Sequence, residues 1–189
     1  KMKDPQKKLK ISFNSPVILS FTILCAVTLL LDWLTKGYTN EHFFSVYRSS
    51  WTSPLTYVRL FGHIVGHANL DHFVGNIMLI LVIGPMLEEK YGSSNILFVI
   101  LATALATGIA HLIFVPGYAL LGASGVVFAF IMLSSFTSLK EKQIPLTFIL
   151  VAVLYIGEQV YQGLFVESNI SNLAHILGGL MGSGLGLIM

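Results

Sequence analysis

Gly122-Ala123-Ser124-Gly125 runs without interruption into Val126-Val127-Phe128-Ala129-Phe130-Ile131-Met132-Leu133. A small polar residue between glycines, at the point where a long apolar run begins, contributes little to packing and reads as the start of a membrane helix. A spanning helix needs about 20 mainly apolar residues. Residues 123–138 are one candidate, if a short one, and 17–35, 70–88, 95–114, 145–164 and 172–189 are the others. The chain of 189 residues is 54% hydrophobic and 11% charged, with a mean hydropathy of +0.78, a balance that excludes an ordinary soluble domain. Short connections imply one bundle: an all-α, polytopic membrane protein with six transmembrane helices, forming a single domain over residues 1–189.

The first apolar run lacks a small-residue cleavage site before Asp32-Trp33, so it reads as a retained helix and not as a cleaved signal. The chain opens at Lys1 and closes inside an apolar run at Met189, which suggests trimmed ends. The single cysteine, Cys25, lies within an apolar helix and offers neither a disulfide framework nor a thiolate metal site. A formal charge of +2, without a basic recognition surface, argues against a nucleic-acid partner.

Orientation follows from the cations. Lys1, Lys3, Lys7, Lys8 and Lys10 precede the first helix, Lys90 follows the second, and Lys140 and Lys142 follow the fourth. Only Lys36, Arg48 and Arg59 fall on the other side. The positive-inside rule therefore places both termini in the cytoplasm, with residues 1–15 as a basic cytoplasmic segment and the cell membrane as the location. Residues 36–66 form the one long external connection and carry Tyr38, Phe43, Phe44, Tyr47, Trp51 and Tyr57. This aromatic density suits the headgroup layer, so the loop is expected to be folded and partly embedded.

In this topology the second, fourth and sixth helices all start outside. Ser124 opens the fourth, His72 and Asn76 lie in the first two turns of the second, and His175 falls about three residues into the sixth. At about 1.5 Å per residue these groups share one layer below the outer surface. Polar groups at such depth are costly and face the bundle interior or a water-filled cavity. Serine and histidine there have the chemistry to serve as nucleophile and general base. His72 and Asn76, spaced i, i+4, direct two donors at one spot, and the backbone amide of Ser124 completes an oxyanion-binding set. No carboxylate is placed to orient His175, so a dyad is expected. His175, Gly178 and Gly182 share one face, where small residues admit a neighbouring backbone, and the helix carrying Ser124 and Gly125 is the natural partner. Phe128, four residues after Ser124, is positioned to set its ring against the imidazole.

Two other readings use the same residues. His63, His67, His72 and His111 can be taken as metal ligands, but the 63/67 pair precedes the second helix and no carboxylate or thiolate completes a set. The bundle can also be read as a non-catalytic membrane chaperone that binds transmembrane segments, a reading opposed by the intact Ser124–His175 pair.

These residues resemble those of the rhomboid intramembrane serine proteases. The match runs through His63-x3-His67-x4-His72-x3-Asn76, Gly122-x-Ser124-Gly125 and Ala174-His175-x2-Gly178-x3-Gly182. It implies that Ser124 is the nucleophile and His175 the general base, with His72, Asn76 and the Ser124 amide on the oxyanion, and that Gly122 admits substrate backbone. No metal or other cofactor is required. The substrates implied are transmembrane proteins cleaved in or near their spanning segments, entering beside the fifth helix under a cap at about residues 163–171, with Glu158 and Gln159 near the entrance. Arg59 matches the arginine of a Trp-Arg pair whose tryptophan is here Val58. Glu88 and Gly92 match a Glu-x3-Gly in which Lys90 stands for arginine, and Phe128 replaces a frequent tyrosine.

Overall fold

The computed structural model describes residues 12–115, 117–136, 146, 149, 150, 153, 154, 157 and 169–189. The described chain is helical: α1 (Pro16–Leu34), α2 (Tyr38–His42), α3 (Pro54–Gly62), α4 (Leu70–Tyr91), α5 (Ser93–Phe114), α6 (Ser124–Phe136) and α7 (Asn169–Ile188). Helices α1, α4 and α5 are long and apolar enough to cross a membrane, and α6 and α7 contain shorter apolar stretches. The expected helix at 145–164, with Glu158 and Gln159, lies largely outside the described residues, as does most of the expected cap.

The helix ends follow local chemistry. Pro16 occupies the first turn of α1, where its missing N–H costs nothing. Asn69 caps α4 by accepting the His72 amide at 2.8 Å. Gly92, at φ +84°, is the sole residue between α4 and α5 and makes them antiparallel neighbours. Glu88 is buried, and its carboxylate accepts the amides of Val17 and Ile18, both at 3.0 Å, and the Ser93 hydroxyl at 2.7 Å. One carboxylate thereby ties the amino end of α1 to the α4–α5 turn, complementing the helix dipole. Lys90 takes no part in those bonds; its ammonium lies over the Tyr91 ring at 5.4 Å.

The long connection is folded. α3 is amphipathic with an inverted sense: Thr56, Arg59 and Leu60 are buried, while Tyr57, Val58 and Phe61 are exposed. Arg59 donates from Nε to the His42 carbonyl at 2.9 Å, and its guanidinium stacks 4.3 Å from the Tyr47 ring centre. The arginine's anchoring therefore does not depend on an aromatic residue at Val58.

Between α3 and α4, residues His63 to His67 are buried without regular structure. Buried irregular backbone persists only where its polar groups find protein partners. Here they do. The His63 carbonyl accepts the Gly122 amide at 2.8 Å, that of Val65 accepts the Thr28 hydroxyl at 2.6 Å, and that of His67 accepts the Asn40 side-chain amide at 2.9 Å.

The closest backbone packing joins α6 to α7. A Cβ on Gly178 would land on the backbone of Gly125, and one on Gly182 on that of Ala129. The two contacts advance four residues on each helix, so α6 and α7 run parallel. α6 makes its most extensive contacts with α7, which also packs on α5.

Candidate active site

α7 begins at Asn169, three residues earlier than the sequence pattern implies, so His175 sits in its second turn and not near its start. The site survives this shift because the α6–α7 register is set by the glycine contacts. Gly125, next to Ser124, has the Ala174 carbonyl 3.5 Å from where its Cβ would be, and Ala174 precedes His175. The Phe128 and His175 rings pack with centroids 4.7 Å apart and planes tilted by 46°. Ser124 and His175 are both partly buried, between the closed core and the surface.

The opposite wall comes from α4. Gly122 has φ +124°, a conformation that side chains other than glycine's rarely adopt. A Cβ there would lie 2.6 Å from His72 Cε1, 2.7 Å from His72 Nε2 and 3.7 Å from Asn76 Nδ2. The two α4 side chains thus converge beside the residue two before Ser124. Asn76 is 8% exposed, and its Nδ2 is buried with no hydrogen-bond partner among the described residues. A buried donor left unspent costs about 1–3 kcal/mol, a cost offset when something accepts from it.

His63, His67 and His111 do not gather with His72 as a metal set; among the described residues no group of three or more His, Cys, Asp or Glu is disposed as ligands. His63 Nδ1 faces the Arg59 and Leu60 carbonyls at 3.2 and 3.1 Å, so it carries the proton, and Nε2 lies 3.2 Å from the Thr107 hydroxyl. His111 Nε2 meets the Tyr118 carbonyl at 2.8 Å. The His67 ring stands edge-on to those of His72 and Phe73, at 5.2 and 5.4 Å.

Sequence reasoning missed two supports of the site. One is Asn69, which the N-cap preference for asparagine ahead of an apolar run would have found. The other is the His63 carbonyl holding Gly122, a backbone contact between distant segments that no motif encodes.

Burial pulls both His63 and His67 down to about 4 from an ordinary value of 6.5, so each is neutral in the folded protein. Between those values the unfolded chain takes up protons that the folded chain refuses, and stability falls as pH drops through the window. A melting series from about pH 7 to about pH 5 is expected to show a declining midpoint, with a shallower slope in His63→Gln. Equal slopes would remove His63 as a source.

These features define a polytopic membrane protein with a polar site assembled where helices α4 and α6 begin, beside the second turn of α7. Residues 54–189 match the Rhomboid domain family, and the chain belongs to it. It is 33% identical over 155 residues to mouse rhomboid-related protein 2, covering 71% of this chain and 51% of that one. It is 31% identical over 129 residues to rhomboid protease GluP of Bacillus subtilis, covering 66% and 24%. Against rhomboid protease GlpG of Yersinia pestis it is 24% identical over 181 residues, covering 88% and 60%. The chain thus spans about half, a quarter and three fifths of these relatives' own lengths.

Proposed function

We propose that this protein is an intramembrane serine endopeptidase that cleaves peptide bonds in or near the transmembrane segments of other membrane proteins. The single observation that carries the reading is the unspent Asn76 Nδ2, which converges with the His72 ring beside Gly122, two residues before Ser124. Family membership and two relatives named as proteases support it.

In the proposed reaction Ser124 Oγ attacks the scissile carbonyl carbon while His175 takes its proton. Negative charge gathers on the carbonyl oxygen, where His72, Asn76 and the Ser124 amide donate to it. Collapse of that intermediate breaks the C–N bond, and His175 returns the proton to the departing amine. Water, deprotonated by the same imidazole, then releases the acyl group from Ser124. Gly122 leaves room for substrate backbone, Phe128 supports the imidazole, and Gly125, Gly178 and Gly182 bring the two helices together. Both termini lie in the cytoplasm in this reading, supported by the lysines at residues 1–10, 90, 140 and 142.

The test is labelling of the purified protein by a fluorophosphonate, together with cleavage of a model transmembrane substrate. Labelling and cleavage, both insensitive to a chelator, are expected. Wild-type protein that does neither, where a known relative does both, would sink the proposal. His72→Ala and Asn76→Ala are each expected to lower kcat by about 10²- to 10³-fold with little change in KM; unchanged kcat in both would take them out of the oxyanion role.

A further inference from the structure

A cavity of about 600 Å³ lies between α1, α5 and the segment that follows α3. Ser20, Phe21 and Leu24 line it from α1, Leu97 and Leu101 from α5, and among the described residues Ser20 carries the only polar side chain on its walls. α1 runs antiparallel to α4 through the Glu88 bonds, and α5 through the Gly92 turn, so α1 and α5 start at the same membrane surface. The cavity lies along the first turns of both. At its far end it is roofed by Phe61 and the buried stretch that includes Val65.

Its mouth is continuous with the surface these helices present to the bilayer. Leu24, Leu97 and Leu101 belong both to the cavity wall and to the exposed apolar face, at 50%, 46% and 42% exposure. The surroundings select the occupant. An apolar groove that opens to the bilayer is filled by the hydrocarbon around it, where no water competes. An extended acyl chain needs no polar partner, in keeping with described walls that offer one hydroxyl.

We infer that one acyl chain of a phospholipid, from the leaflet where α1 and α5 begin, occupies this cavity with its methyl end beneath Phe61 and Val65. The roof is the segment whose His63 carbonyl holds Gly122, so the lipid abuts the backbone that leads to Ser124.

The experiment uses the full chain in nanodiscs of phosphatidylcholine doped with a phospholipid bearing a diazirine near the end of one acyl chain, with adducts mapped by mass spectrometry. Leu30 and Leu105 serve as references, being exposed on the same two helices but outside the cavity. Adducts at Phe21, Leu24 and Leu101 are expected to exceed those at Leu30 and Leu105 by about tenfold or more, equivalent to about 1.4 kcal/mol. Filling the cavity by Ser20→Trp or, separately, Leu97→Trp should remove that excess while leaving the Leu30 adducts and the helical circular dichroism unchanged. Uniform adducts along both helices in the wild-type protein would overturn the inference, as would an undiminished excess in a filled variant that keeps its helicity. If one variant does not fold, the other and the wild-type map decide. No outcome depends on peptidase activity.

Discussion

Ser124→Ala and His175→Ala are each expected to abolish fluorophosphonate labelling and to lower cleavage of a transmembrane substrate on the order of 10⁵- to 10⁶-fold, the scale seen when a nucleophile or its base is removed. The two changes should not add, because either one leaves the same reaction without a usable alkoxide. The double variant is therefore expected to match the singles, which distinguishes a cooperating pair from two independent contributors. Both side chains are partly exposed, so truncation to alanine creates no large core cavity. Thermal midpoints should stay near that of the wild-type protein, which separates lost chemistry from lost folding. Unimpaired cleavage by Ser124→Ala would refute its assignment as nucleophile.

The second large effect concerns packing. Gly178→Val and Gly182→Val place a branched side chain on the backbone of Gly125 and of Ala129. Backbone cannot rotate away as a flexible side chain can, so the helices must separate. Overpacking of this kind costs typically about 1–3 kcal/mol and sometimes more, and a drop in melting temperature on the order of 10 °C is expected. Activity should fall even where the fold survives, because the axis shift carries His175 away from α6, and misplacement by about 1 Å can cost about 100-fold. Gly184→Val is the control, since a Cβ at Gly184 meets nothing within 4 Å among the described residues. A wild-type melting temperature and full activity in both seam variants would refute the close approach.

How much of this could be read from the sequence differs from residue to residue. The glycine seam was legible because Gly178 and Gly182 stand at helical spacing on an apolar stretch, a periodic signal that survives without tertiary knowledge. The convergence of His72 and Asn76 was legible for the same reason. The start of α7 was not, since Asn169, Ser171 and Asn172 suit a loop as well as a first helical turn, and the helix begins three residues before the expected start at residue 172. Arg59 shows another limit. Val58 stands where the motif has tryptophan, yet the guanidinium is held by the His42 carbonyl and the Tyr47 face, contacts that no pairwise motif records. His63 to His67 were recognisable as motif residues, but their backbone is held from α1, α2 and the segment before α6, and such partners are unknowable before the chain is folded.

The α6–α7 seam also has a kinetic meaning. Where two main chains touch, there is no layer of side chains to re-rotamer, and the helices move together or not at all. In the proposed enzyme Ser124 and His175 would ride on one rigid body, assembled before any substrate arrives. Turnover would then be paced by how quickly a peptide segment reaches them and leaves, and not by the time the pair needs to form.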